Sequence, residues 1–252
     1  RVIFTQTGEQ RVRDEWTFSI PDIFGRQVLS GVCKNSLLLG NEIATAVKAS
    51  LKTTIASQYK GYIISGVTLH APTFLSANYY DNYDFKAQTP ELSFESDSLF
   101  DDRFGTDGDN IKAKGLLTGT LKAVVDNDGS RYTLSAIYYD RNGRVIQTVE
   151  KNHLGGISRS DTKYDFVGNI LAARESHGIP GNATVDIKYT TFTYDHQGRM
   201  LSETVTLNGS DPAAVRYAYD ELGRLVGKTY GTGGNAVTEI CDYNIQGWLA
   251  EK

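Results

Sequence analysis

The chain has 252 residues and a net charge of −4 at pH 7, with 25 glycines and 15 tyrosines but one methionine. This acidic balance argues against nucleic-acid binding, which needs a surface rich in lysine and arginine. The sequence contains no apolar run of about 18 residues, so we expect no membrane insertion. It begins at Arg1 without a signal peptide, and we expect it to be a piece of a longer polypeptide.

The first 30 residues alternate apolar and polar side chains, which is typical of a half-buried strand. Trp16, Phe18 and Ile20 are the clearest members of this pattern. Within residues 20–30 the segment Asp22–Arg26 reads Asp-Ile-Phe-Gly-Arg. We predict that it is a degenerate copy of a turn motif that recurs later in the chain.

Residues 36–58 are consistent with either a helix or strands. Alanines and lysines favour a short helix, whereas the alternation of Ile43, Val47 and Leu51 with smaller or polar residues favours a strand. We prefer the strand. Three further strands are predicted at 62–64, 67–69 and 74–80.

Residues 81–115 are polar and have the least regular pattern in the chain. Four aspartates cluster there: Asp101, Asp102, Asp107 and Asp109. Carboxylates are ligands for calcium, but their spacing does not match an EF-hand, so we prefer a solvated acidic loop at 101–109. The segment also suggests a division into a β-rich region at 1–115 and a repeat array at 116–252.

One motif recurs within residues 116–252, about every 25 residues. It reads Tyr-Asp-x-x-Gly-Arg followed by an apolar residue. The full copies are Tyr139-Asp140-Gly143-Arg144, Tyr194-Asp195-Gly198-Arg199 and Tyr219-Asp220-Gly223-Arg224, and the looser copies are Tyr164-Asp165-Gly168 and Tyr243-Gly247. Such a period identifies a repeat architecture.

Each residue of the motif has a predicted structural role. Asp at the first position of a type I turn accepts backbone hydrogen bonds, and Gly at the fourth adopts positive φ at no steric cost. We expect Tyr and Arg to meet at the mouth of the hairpin, where a guanidinium over a ring, or a bond to the turn Asp, would tie neighbouring hairpins together. The apolar residue two after Gly is predicted to face the core: Val145, Ile170, Met200, Leu225 and Leu249.

The predicted fold is all-β. A two-stranded hairpin is marginal alone, and stacked hairpins bury a shared face. We therefore expect an antiparallel meander of repeated β-hairpins forming a long, twisted and curved sheet, a partial shell of such repeats.

The Tyr-Asp-x-x-Gly-Arg motif at this period resembles that of the YD-repeat or Rhs (rearrangement hot spot) family. The runs 78–85 and 114–119 also resemble the N-terminal portion of large Rhs-type proteins of Bacteroidetes-like bacteria. The resemblance implies that long arrays spiral into a hollow β-shell. In bacterial toxins the shell encloses a C-terminal toxic domain, and in surface relatives it serves adhesion or contacts carbohydrate.

Few residues suggest catalysis. His153, Ser158 and Asp161 could form a triad only if the fold brought them together, since a triad is defined by geometry. The two cysteines, Cys33 and Cys241, provide neither a disulfide framework nor a metal cluster, and we expect small packed side chains. We predict no enzyme activity, no cofactor and no metal.

The sequence therefore predicts a structural scaffold in a secreted or surface-exposed bacterial protein. Its expected partners are the remaining repeats and the C-terminal domain of the parent chain. The alternative is an adhesion module that binds glycans or another surface protein through a tyrosine-rich face. Exposed strand edges also favour an edge-to-edge dimer through residues 240–249.

Overall fold

A computed structural model gives the structure of this chain. The residues that it describes are 3–35, 47–51, 58–87, 89–97, 99–100, 113–124, 131–181, 185–231 and 233–251. The four aspartates of the predicted acidic loop and most of the ambiguous stretch 36–58 lie outside these ranges. Two compact units divide the chain: Arg1–Ser96 with Asp102–Ile157, and Asp97–Asp101 with Ser158–Lys252. The predicted sequence division at residue 115 stays a prediction.

The first unit is a β structure with one short α-helix and two 3₁₀ helices. Its α-helix is α1 (Gly8–Val12), and the 3₁₀ helices are Asp84–Lys86 and Pro90–Leu92. Its strands are β1 (Phe4–Thr5), β2 (Trp16–Pro21), β3 (Gln27–Cys33), β4 (Lys48–Leu51), β5 (Tyr62–Ser65), β6 (Thr73–Tyr80), β7 (Leu117–Ala123), β8 (Tyr132–Tyr139) and β9 (Val145–Lys151). Seven of them lie in the order β1-β2-β3-β6-β7-β8-β9, and β4 and β5 pair separately.

The second unit continues the same pattern of antiparallel hairpins. Its strands are β10 (Ile157–Tyr164), β11 (Ile170–His177), β12 (Asp186–Tyr194), β13 (Met200–Leu207), β14 (Ala213–Tyr219), β15 (Leu225–Tyr230), β16 (Val237–Ile240), β17 (Asp242–Tyr243) and β18 (Leu249–Glu251). A 3₁₀ helix lies at Gly233–Asn235. Strands β10 to β16 follow one another in chain order, and β17 pairs with β18.

In both units the strands form antiparallel meanders, which confirms the predicted all-β class. Consecutive strands pair within each unit, as sequential strands usually do, except that β6 pairs with β3 and the hairpins β4–β5 and β17–β18 are separate. Among the described residues, no helix has both the length and the apolar character that crossing a membrane would require.

Two local predictions were wrong. The alternating N-terminal pattern is interrupted by α1, which begins with a capping box in which Thr7 and Gln10 exchange side-chain and backbone hydrogen bonds. The predicted strand at 67–69 is absent from the ladder. Instead, the buried Asn35 side chain donates to the Thr68 carbonyl at 2.8 Å and accepts from the His70 amide at 2.9 Å.

The two units bury different kinds of residue. In the first unit Phe18, Leu29 and Tyr79 are fully buried, and the Tyr79 ring stacks on Phe85 with centroids 4.6 Å apart. In the second unit most described side chains are half-buried or exposed. The second unit therefore stabilises its strands mainly through contacts between adjacent hairpins.

Candidate functional site

Two backbone hydrogen bonds close the turn that follows Tyr219. The Gly223 amide donates to the Asp220 carbonyl at 2.9 Å, and the Asp220 amide donates to the Arg224 carbonyl at 3.0 Å. Gly223 has φ of +82°, a conformation that glycine adopts without a Cβ penalty. The strand register shifts at Tyr219, so a β-bulge accompanies the turn.

The Asp220 carboxylate organises this turn. Its Oδ1 accepts from the amides of Leu222 at 3.0 Å and Arg224 at 2.8 Å, and its Oδ2 accepts from Arg224 Nε at 2.7 Å. The same Arg Nε to Asp Oδ2 bond occurs in three other turns: Arg26–Asp22 at 2.7 Å, Arg144–Asp140 at 2.5 Å and Arg199–Asp195 at 2.6 Å. The predicted degenerate copy at Asp22 thus has the geometry of a repeat.

The looser copies keep the turn with different side chains. In the copy at Tyr164, the Asn169 side-chain amide donates to Asp165 Oδ2 at 2.8 Å, as Arg does elsewhere. In the last copy, Asn244 Oδ1 accepts from the amides of Gln246 and Trp248, both at 3.0 Å. The turn therefore needs an oxygen acceptor at its first position more than it needs Arg at its end.

The tyrosine hydroxyls connect neighbouring hairpins. Four of them donate to the carbonyl of the residue two after Gly in the preceding hairpin. The observed bonds are Tyr194 to Ile170 at 2.9 Å, Tyr219 to Met200 at 2.9 Å, Tyr243 to Leu225 at 2.8 Å and Tyr139 to Leu117 at 2.5 Å. The hydroxyls of these four tyrosines are therefore hydrogen-bonded within the array.

Arginine makes the second contact between hairpins. The Arg199 guanidinium lies 4.9 Å from the Tyr219 ring centre, and that of Arg224 lies 4.8 Å from the Tyr243 ring centre. At these distances a cation–π contact contributes about 0.5–1 kcal/mol. Each Arg thus bonds the Asp of its own turn and covers the Tyr of the next.

The core position predicted two residues after Gly was wrong in three of the five copies, whereas Met200 and Leu225 are half-buried. Val145 is 38% exposed, Ile170 is 37% exposed and Leu249 is 52% exposed, whereas the following residue Ile146 is 3% exposed. The bulge adds one residue to the strand, and a one-residue slip moves each side chain to the other face. The backbone carbonyl at this position, rather than its side chain, takes part in the contact between hairpins.

One group of motif residues was missed by sequence reasoning. The Arg26 guanidinium forms two bonds to the Asp81 carboxylate, at 3.1 and 2.7 Å, and lies 4.3 Å from the centre of the Tyr80 ring. The carboxylate of Asp81 raises the pKa of Arg26, and the guanidinium in turn lowers the pKa of Asp81. The adjacent Tyr80-Asp81 pair was the available signal, but no Gly follows it at the expected spacing.

Hydrogen bonds hold the carboxylates of Asp165, Asp195 and Asp220 in their ionised form. At Asp165 the Asn169 side chain is the main cause of a lowered pKa. At Asp195 and Asp220 burial opposes ionisation, but bonds from the backbone and the Arg side chain prevail and lower the pKa. The turns are thus built for carboxylates at neutral pH.

Two of the three residues considered for a catalytic triad, Asp161 and Ser158, have other partners. Asp161 is 1% exposed and accepts from Arg174, whose guanidinium also bonds Asp97 at 2.5 Å. The Ser158 hydroxyl lies 2.8 Å from His177 Nδ1 on the neighbouring strand. Asp161 therefore belongs to a cluster of charged side chains with Arg174 and Asp97.

Cysteine and metal chemistry receive little support from the described residues. Cys33 and Cys241 are both buried and both free thiols, and burial raises the pKa of the Cys33 thiol. Within the described ranges, no group of three His, Cys, Asp or Glu side chains is arranged to hold a metal ion.

Comparisons with known proteins return solved structures alone. No protein-family model matches the chain, and no curated protein matches it. A crystal structure of TcdB2-TccC3 without its hypervariable C-terminal region is similar over 98% of this chain, with 13% identity and a TM-score of 0.39. A crystal structure of TcdB2-TccC3-Cdc42 is similar over 98% of this chain, with 11% identity and a TM-score of 0.30.

This chain spans a small part of those proteins. It covers 12% of the first solved chain and 13% of the second.

Proposed function

We propose that this chain is a non-enzymatic structural scaffold built from repeated β-hairpins. The observation that carries the proposal is that the recurrent side chains have structural partners within the array. Asp220 holds its own turn, Arg224 bonds that Asp and covers Tyr243, and the Tyr243 hydroxyl bonds Leu225. Each polar residue of the motif is thus explained by the stacking of hairpins.

The scaffold is further proposed to be part of the YD-repeat wall of a large secreted or surface-exposed bacterial Rhs-type protein. The motif at residues 139–144, 194–199 and 219–224 supports this assignment. Its partners would be other repeats and a C-terminal domain of the parent chain, which the wall encapsulates or delivers. Nucleic acid is not a proposed partner, because the net charge is −4.

A second candidate function is glycan binding, and one observation favours it. Lys228 Nζ lies between two aromatic rings, 5.4 Å from the Tyr217 centre and 5.2 Å from the Tyr230 centre. Tyr230 is 40% exposed. A glycan-binding face would therefore use Tyr217 and Tyr230, because four repeat tyrosines donate to backbone carbonyls of the array, whereas the Tyr230 hydroxyl bonds the side chain of Glu239.

A glycan array separates the two functions. The scaffold proposal predicts no glycan bound by the chain. Saturable binding that is lost in a Tyr217→Ser, Tyr230→Ser double variant, and kept in a Tyr219→Phe variant, would overturn it in favour of adhesion.

An edge-to-edge dimer is proposed for the isolated chain. Ile240 is 61% exposed and lies on β16, the last strand in the order of its sheet. Leu249 is 52% exposed and lies on β18, which pairs with β17. Unpaired strand edges promote association. Sedimentation velocity would show a concentration-dependent dimer that Ile240→Lys abolishes, and a monomer at all concentrations would contradict the proposal.

A further inference from the structure

The hairpin formed by β6 and β7 has the hydrogen bonds of a repeat turn, although residues 82–114 separate its Asp from its Gly. The Asp81 amide donates to the Leu116 carbonyl at 3.1 Å, as the amide of the turn Asp does in the full copies. The Gly115 amide donates to Asp81 Oδ1 at 2.6 Å, and Gly115 has φ of +87°. The turn is therefore closed around a long insertion.

The contacts between hairpins are also present at this position. Arg26 covers the Tyr80 ring from the preceding copy, and the Tyr139 hydroxyl of the following copy donates to the Leu117 carbonyl. Leu117 is two residues after Gly115, as the repeat requires. Tyr80, Asp81, Gly115 and Leu117 thus make a split repeat, and residues 82–114 are an insertion in its turn.

The insertion begins by covering a shallow row of side chains on the sheet. Tyr79, Gly119, Ala136 and Val149 are paired in register across β6, β7, β8 and β9. The two central residues are small, and the Phe85 ring lies over Gly119. A Cβ added at Gly119 would lie 2.1 Å from Phe85 Cζ, so the close approach depends on glycine.

Further along, the sheet bonds the backbone of the insertion. The Tyr138 hydroxyl donates to the Leu92 carbonyl at 2.6 Å. The Gln147 side chain donates to the Glu95 carbonyl at 3.0 Å and accepts from the Glu95 amide at 3.1 Å. Leu92 is fully buried. The Gln147 side chain thus bonds the amide and the carbonyl of one residue, the two groups that a neighbouring strand would bond.

We propose that this face is a peptide-binding groove and that residues 83–87 and 89–95 are its resident ligand. The groove is defined by Tyr79, Gly119, Ala136, Tyr138, Gln147 and Val149. Its ligand class is a peptide with two 3₁₀ turns that places one aromatic ring over Gly119, buries one leucine and presents a backbone amide and carbonyl to Gln147. The inference rests on the geometry of the first unit and holds whether or not the chain is a scaffold.

The direct test removes the resident ligand and returns it in trans. Residues 82–114 are replaced by Arg-Asn, the pair at positions 141 and 142 of a complete turn. The shortened chain is expected to keep its β circular dichroism and to bind a synthetic peptide of residues 82–97 saturably in calorimetry. A Leu92→Ala peptide, or a Gln147→Ala shortened chain, should bind at least tenfold more weakly.

Two results would overturn the groove. One is a folded shortened chain that does not bind the peptide, and the other is equal binding of the peptide and its Leu92→Ala version. If the shortened chain does not fold, the full chain provides the test. Gly119→Val should then lower the unfolding midpoint and raise hydrogen exchange at Phe85 and Leu92, and unchanged exchange there would refute the groove.

The split turn has a separate test in the full chain. Gly115 and Gly143 both have positive φ and no atom within 4 Å of an added Cβ, so alanine at either position introduces backbone strain alone. Gly115→Ala and Gly143→Ala should lower the unfolding midpoint by similar amounts. A neutral Gly115→Ala beside a destabilising Gly143→Ala would show that Gly115 is an ordinary loop residue.

Discussion

The Arg199 guanidinium lies 4.9 Å from the ring centre of Tyr219, although the two residues belong to different hairpins. The same Arg bonds Asp195 in its own turn at 2.6 Å, and the same Tyr donates its hydroxyl to Met200 at 2.9 Å. One arginine and one tyrosine therefore join a turn to the next hairpin. The motif therefore forms a turn and also holds that turn against the next hairpin.

Removing one tyrosine hydroxyl should show how much the hydrogen bond between two hairpins stabilises the chain. Tyr219→Phe removes the hydroxyl that donates to Met200 but keeps the ring beneath Arg199. We expect a loss of about 1 kcal/mol in the free energy of unfolding, as for one hydrogen bond. Urea unfolding measures it. Tyr230→Phe is the matched control, because its exposed hydroxyl bonds Glu239 at 3.3 Å, and an equal loss in both variants would contradict the role of Tyr219.

The turn aspartates should differ in importance according to burial. The Asp140 side chain is 2% exposed and that of Asp220 is 21% exposed. Asp140→Ala removes a buried carboxylate that accepts from Arg144, whose side chain is 23% exposed, and should cost about 3 kcal/mol. Asp220→Ala should cost less, since water replaces part of the lost contact. Equal costs in urea unfolding would show that burial does not govern the turn.

Gly223 should not tolerate a β-branched side chain. Its φ is +82°, and an added Cβ would lie 3.2 Å from a terminal nitrogen of Arg199. Gly223→Val should therefore destabilise the chain by about 1–3 kcal/mol. Gly234→Ala is the control, because nothing lies within 4 Å of its Cβ and its φ is not in the left-handed region. A lower melting temperature in the control alone would refute the turn geometry.

Stability should fall in acid because several carboxylates have a lowered pKa in the folded chain. At Asp81 the Arg26 side chain is the main cause, and at Asp97 the main cause is the Leu99 amide. A lowered folded pKa gives stability that is present above the unfolded value, near 3.9, and is lost as pH falls through the folded value. We expect the urea midpoint to be steady from about pH 5 to 7 and to drop below about pH 4.

The matched variant is Asp81→Asn. It should be less stable than the parent at pH 7, and the difference should shrink as the parent's Asp81 becomes protonated. A difference that is constant between pH 7 and pH 2.5 would show that ionised Asp81 does not stabilise the chain.

The turns could be predicted from sequence because their chemistry is local. In Tyr219–Arg224 the acceptor, the positive-φ residue and the donor all lie within one short segment, so spacing alone identifies them. The sequence reasoning did not include the effect of the β-bulge on the face of the sheet that each side chain takes. As a result Val145 was assigned to the core that Ile146 occupies.

The split repeat could not be predicted by the same reasoning. Tyr80-Asp81 and Gly115 satisfy one turn, but residues 82–114 separate them, and a fixed spacing does not connect them. Likewise, nothing in the pattern around Gly119 shows that Phe85 will lie on it, because this contact depends on the tertiary packing of an irregular segment. The local hydrogen bonds of the turns could therefore be predicted from the sequence, whereas packing on the face of the sheet could not.

A double-mutant cycle on Arg199 and Tyr219 tests the central claim most directly. Arg199→Ala, Tyr219→Leu and the double variant are compared with the parent by urea unfolding. If each hairpin is tied to the next through this pair, the two changes will be non-additive, with a coupling of about 0.5–1 kcal/mol. Additive effects within about 0.3 kcal/mol would show that the repeated arginine and tyrosine stabilise their own hairpins separately.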